Sequence, residues 1–156
     1  MINKSKVMYN GETFKLEGTG IKEKETRAKD LAGYFLNSEA YEKLDPETVM
    51  YRVEYQDNDL VEGTPGGLYF GITHLYPGVV GAEYFLTKGH FHAKRNTGEY
   101  YFGLEGHGLL MMTENSETIL EEVRPGSVHY IPGNKAHRLI NTGSKELSVS
   151  ACWQTE

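Results

Sequence analysis

The chain has 156 residues, 38% of them apolar, with 16 basic and 22 acidic side chains for a net charge of −6. That length suits one domain burying about two-thirds of its unfolded surface, and the negative balance excludes a general attraction for nucleic acid or anionic membrane. No apolar run approaches the ~18 residues of a membrane span, the first residues lack the apolar core of a signal peptide, and the single cysteine, Cys152, excludes an internal disulfide and fits a reducing cytoplasm.

Glycine (18) and tyrosine (11) are frequent, which favours short strands between tight turns over long helices. In chain order, Thr26 is expected to N-cap a short helix through Ala28, Leu31 and Phe35. Ser38 is expected to begin a second one over 39–44, stopped near Asp45-Pro46. The charged run 22–29, KEKETRAK, reads as a solvated face. From about Val49 the texture changes to alternating polarity. Strands are expected over 50–55, 68–76, 82–87, 98–104, 109–113, 117–122, 127–131, 136–141 and 146–153. Turn signals such as Glu105-Gly106, Asn115-Ser116, Pro125-Gly126 and Pro132-Gly133 separate them. The spacing predicts an all-β jelly-roll barrel over residues 49–156, with residues 1–48 as an arm packed on it and carrying one or two small helices.

Three of the six histidines fall in a pattern with chemical meaning. His90 and His92 stand one residue apart in KGHFHAK, so on a strand their imidazoles share a face. Glu99 follows seven residues later, leading EYYFGLEG, and His137 follows a Pro-Gly turn in IPGNKAHRLIN. Three imidazoles and one carboxylate facing one interior form a ligand set for Fe(II), Mn(II), Zn(II) or Ni(II). Four protein ligands in an octahedral sphere leave two exchangeable positions, which favours catalysis over a structural role. The remaining histidines, His74, His107 and His129, read as structural or exposed, and Cys152 as a small buried apolar residue.

The stretch GHFHAKRNTGEYYFGLEG resembles the first metal-binding motif of the cupin superfamily, and GSVHYIPGNKAHRLIN resembles the second. The six-residue gap between His92 and Glu99, the TKGH sequence and the segment GGLYFGITHLYPG are similar to the cupin-type glucose-6-phosphate isomerases. The resemblance implies a cupin double-stranded β-helix with metal ligands His90, His92, Glu99 and His137. It also implies sugar phosphate contacts near Thr73, Thr87, Gly89 and Tyr101, one divalent metal per chain with Fe(II) as first choice, and a cytoplasmic homodimer. These substrate positions make chemical sense, because hydroxyls and backbone N–H groups donate to phosphate oxygens without a large positive field. Family members often continue past the position of Trp153 with a segment carrying His and Tyr near the site mouth. The resemblance therefore implies either a chain lacking that lid or part of a longer one.

The implied activity is interconversion of glucose 6-phosphate and fructose 6-phosphate. Glu99 and His137 are the expected catalytic residues, Glu99 as the carboxylate that moves a proton between C2 and C1. A metal-assisted hydride shift is the alternative route. Two other functions suit the same ligands: an Fe(II) dioxygenase, and a non-catalytic cupin that binds sugar or metal.

Overall fold

The structure is a computed structural model and describes residues 2–155. Chain order begins with a hairpin, β1 (Val7–Asn10) and β2 (Lys15–Gly18), then β3 (Ile21–Arg27), a 3-10 turn (Ala28–Leu31) and the short helix α1 (Ser38–Glu42). The barrel strands follow as β4 (Val49–Gln56), β5 (Leu68–Leu75), β6 (Val79–Val80), β7 (Glu83–Tyr84), β8 (Glu99–Glu105) and β9 (Gly108–Glu114). The chain ends through β10 (Glu117–Val123), β11 (Val128–Ile131), β12 (Ala136–Asn141) and β13 (Leu147–Gln154). A six-stranded antiparallel sheet in the order β11-β8-β13-β5-β4-β3 faces a three-stranded sheet, β10-β9-β12. This is the two-sheet, all-β jelly roll that the turn spacing predicts.

The strands form where polarity alternates. On β12 the residues Ala136 to Asn141 alternate half-buried and buried, which turns His137, Leu139 and Asn141 inward. Leu75, Leu110, Ile131, Leu139 and Leu147, at most 2% exposed, fill the space between the sheets. Burial of each such side chain contributes roughly 2 kcal/mol. Asn141 is the polar exception. Its amide donates to the carbonyls of Leu75 and Lys145, both at 2.8 Å, and its oxygen accepts from Gly143, so a buried side chain staples the turn before β13.

The N-terminal segment differs from the expectation at three points. Residues 21–27 extend the large sheet as its edge strand, with β3 antiparallel to β4. No helix grows from Thr26. Ala28, Leu31 and Phe35 are buried as their spacing suggested, but Gly33 at φ +81° breaks the path after one 3-10 turn. Helix α1 does form, with Asn37 rather than Ser38 as its cap through Oδ1 and the Ala40 amide.

The segment between β7 and β8 positions the site. Residues 85–90 run beside β12 as an irregular strand, with Thr87 N donating to Leu139 O and Asn141 N to Phe85 O. Leu86 faces Ile140, yet His90 faces His137: four steps along one side against three along the other. One extra residue is therefore accommodated at Thr87-Lys88-Gly89, a bulge that re-aims the side chains beyond it. The Thr87 hydroxyl helps to hold the bulge by accepting from Leu139 N at 3.0 Å.

Candidate metal centre

Past the bulge, His90 and His137 exchange main-chain hydrogen bonds at 3.3 and 3.1 Å, which fixes their side chains together. One ring nitrogen from each of His90, His92 and His137 lies within 4.8 Å of the others. Glu99, at the start of β8, adds a carboxylate 6% exposed, with Oε2 3.2 Å from His92 Nε2 and Oε1 3.2 Å from His137 Nε2.

The tautomers follow from the surrounding partners. Thr97 Oγ1 donates to Lys94 O at 2.7 Å, so it accepts from His92 Nδ1–H at 3.0 Å, and His92 Nε2 carries a lone pair. His137 Nδ1–H lies against Lys135 O at 3.3 Å, which leaves its Nε2 a lone-pair atom as well. His92 and His137 are thus each held from behind, as metal-ligating histidines are.

The buried atoms Glu99 Oε1 and His137 Nε2 face each other without hydrogen-bond alignment, and neither has another partner. Two buried acceptors at that separation repel unless a cation lies between them. The donor set, nitrogen and oxygen without thiolate, fits a divalent transition ion. Burial pushes the Glu99 carboxyl up, but a proton on His137 or His92 Nε2 donates to it and holds its pKa at about 2, and a metal ion would take the place of that proton. Burial, reinforced by His137, pushes the His90 imidazole down and so keeps it neutral. Burial and the adjacent Glu99 push the Tyr101 phenol well above its usual value, so it stays a donor.

Two cavities meet at these ligands. One of about 340 Å³ reaches His90, His92 and Glu99 and is walled by Tyr69, Trp153 and Glu62. Tyr69 and Trp153 pack edge to face at 5.8 Å. The other, about 570 Å³, holds Lys24, Tyr51, Thr87 and Lys88. Val53, Thr73, His90 and Tyr101 line both. Thr73 and Tyr101 therefore stand at the junction and Thr87 opens to the second cavity. Gly89 lines a third depression, of about 310 Å³, where a Cβ would come within 2.8 Å of the Arg138 guanidinium.

The sequence pattern did not single out Lys24, Tyr51, Glu62, Tyr69 or Trp153. Lys24 lies in the run expected to be solvated. It is exposed, but it also lines the second cavity because β3 joins the sheet. The remaining histidines lie apart from the centre. His74 is fully buried between Glu54 and Glu146, at 3.0 and 2.7 Å. His129, 5% exposed, bonds Glu121 and Ser127, while His107 is exposed at the turn between β8 and β9. Cys152 is half-buried on the outer side of the large sheet, and burial raises its thiol pKa.

Residues 25–156 match the family described as glucose-6-phosphate isomerase (GPI). A glucose-6-phosphate isomerase of Thermococcus kodakarensis is 44% identical over 139 residues, covering 88% of this chain and 72% of that protein. The Pyrococcus horikoshii enzyme of the same name is 42% identical over 143 residues, with the same coverage. Among solved structures, a Bacillus subtilis oxalate decarboxylase superposes with a TM-score of 0.55 at 17% identity, over 74% of this chain and 29% of that one. That likeness shows the shared cupin fold.

Proposed function

The chain belongs to the glucose-6-phosphate isomerase family, and on that premise we propose that it interconverts glucose 6-phosphate and fructose 6-phosphate at a divalent metal held by His90, His92, Glu99 and His137. The observation that carries the metal assignment is the buried, unaligned pair of Glu99 Oε1 and His137 Nε2 beside two further imidazoles. A bound divalent ion supplies Lewis acidity towards the sugar's C1 and C2 oxygens.

The chain's own residues do the rest. Glu99 lines the first cavity and moves the proton between C2 and C1. His137 completes the ligand set through its Nε2, 3.2 Å from the Glu99 carboxylate. Tyr101, held protonated, donates to a sugar oxygen from the shared wall. Thr73 and Thr87 offer hydroxyls to the substrate, and Gly89 contributes by letting the bulge pass beneath Arg138.

Fe(II) is the proposed ion, with Mn(II), Zn(II) and Ni(II) as alternatives, and the proposed setting is glycolysis and gluconeogenesis in the cytoplasm. The proposed assembly is a homodimer. An exposed apolar face on the large sheet supports it, formed by Tyr130, Tyr100 and Phe70 in one cross-strand row and Val128 and Phe102 in the next. The experiment is a coupled assay on metal-reconstituted protein, fructose 6-phosphate in and glucose 6-phosphate out. Conversion that appears with metal and vanishes with chelator is expected. Metal-replete protein that converts neither sugar phosphate overturns the proposal.

A further inference from the structure

The second cavity has a distinct charge pattern. Its cross-strand row runs Lys24–Val53–Thr73 across β3, β4 and β5. Directly paired residues in neighbouring strands project from the same face, and Val53 and Thr73 line the cavity, so Lys24 does too. Lys88 enters from the bulge opposite.

The two carboxylates of that cavity are already engaged. Glu25 Oε2 accepts from Arg27 Nη2 at 2.6 Å, and Asp30 Oδ2 accepts from Arg27 N at 2.8 Å. Neighbouring lysines are engaged as well, Lys22 with Asp57 and Lys29 with Glu47. Lys24 and Lys88 form no ion pair among the described residues. Thr87 Oγ1 accepts from Leu139 N, which leaves its hydroxyl proton for a ligand. In a protein of net charge −6 the overall field repels anions, so this local pair decides whether an anion enters.

We propose that Lys24, with Lys88, forms the cationic anchor for the substrate's phosphate and so sets selectivity for phosphorylated over free sugars. The inference rests on the isomerase reading. The phosphate of a six-carbon sugar lies at the opposite end from C1 and C2, so it needs a chamber beside the metal ligands. The second cavity, which shares Thr73, His90 and Tyr101 with the first, is such a chamber. Lys24 comes from a strand outside both histidine motifs.

The test uses metal-loaded protein with fructose 6-phosphate and with inorganic phosphate as competitor. Lys24→Met keeps the aliphatic stem and removes the charge. It is expected to raise KM, and the inhibition constant for inorganic phosphate, by about five- to ten-fold at low ionic strength, below the full effect of a buried charged bond. The two changes should match each other, shrink at about 0.5 M salt, and be restored by Lys24→Arg. Lys24→Gln serves as a second neutral variant, and a thermal melt reports folding. Values within two-fold of wild type at low salt for both neutral variants overturn the proposal. Phosphate affinity measured by calorimetry separates the two ideas. A wild type without isomerase activity sinks the catalytic reading, whereas phosphate binding indifferent to Lys24 sinks the anchor and leaves the isomerase reading intact.

Discussion

Replacing Glu99 by Gln separates the two roles proposed for it. The carboxylate is 6% exposed and each oxygen lies 3.2 Å from an imidazole nitrogen. Gln keeps the shape and one oxygen, but its NH₂ must face either His92 Nε2 or His137 Nε2. There it donates to a lone pair that would otherwise bind metal. The substitution thus removes an anionic ligand and masks a neutral one. Loss of a partner that merely orients a ligand costs 10–100-fold in metal affinity, so at least about 100-fold is expected here, roughly 2.7 kcal/mol. That part of the defect yields to excess metal. If Glu99 also moves the proton, a further ~10²–10⁴-fold loss in kcat persists at saturating metal. The assay is a metal titration of the coupled reaction to its plateau, with deuterium incorporation from solvent into product. A plateau kcat near that of wild type would remove Glu99 from the chemistry. Conversion without solvent exchange in the wild type would favour a hydride shift.

Thr87→Val deletes an acceptor for Leu139 N as well as a donor to the cavity. It should lower Tm by roughly 2–4 °C for about 1 kcal/mol lost, and raise KM for the sugar phosphate by roughly ten-fold, read by melts and initial rates. His74→Leu leaves the 2%-exposed Glu54 carboxylate with Leu16 N as its remaining hydrogen-bond donor. It should cost about 3–5 kcal/mol in chemical denaturation, and most of that should return when Glu54→Leu is added; a loss below about 1 kcal/mol would show that this buried contact does not hold the N-terminal hairpin. The His74 hydrogen bond lowers the Glu146 carboxyl from its ordinary 4.5, against burial, which raises it. Ionised Glu146 therefore stabilises the fold above about pH 4.5 and loses that contribution as pH falls through its lower folded value. Denaturation of metal-free protein between pH 6 and 3 should show a shallower decline in Glu146→Gln than in wild type.

The proposed metal ligands were legible because their signal is local: two histidines in step, a carboxylate opening a strand and a histidine after a Pro-Gly turn. The strands from Val49 onward were legible for the same reason, since alternation and turns mark each one. The edge strand β3 was not, because IKEKETR reads as solvent-facing charge until β4 pairs with it. Ala28, Leu31 and Phe35 announced burial correctly but not its form, which Gly33 decided. Lys24 and Glu62 gave no signal, since a residue that lines a cavity from an edge strand or a loop has no periodicity of its own.

The bulge at Thr87-Lys88-Gly89 fixes something more general than the position of two rings. Beyond it, His90 meets His137, whereas in the register set by Leu86 and Ile140 the residue opposite His137 would be Gly89. Deleting one of the three bulge residues would bring the histidine to that position, so it would still face His137, in a straight strand. Adding one residue between Leu86 and His90 would instead carry the histidine past its partner and turn the imidazoles towards the opposite face. The segment is therefore asymmetric in its tolerance: it can shorten by one residue more readily than it can lengthen. A one-residue insertion here should abolish metal binding while the flanking strands still fold, a frame error without any change in the histidines themselves.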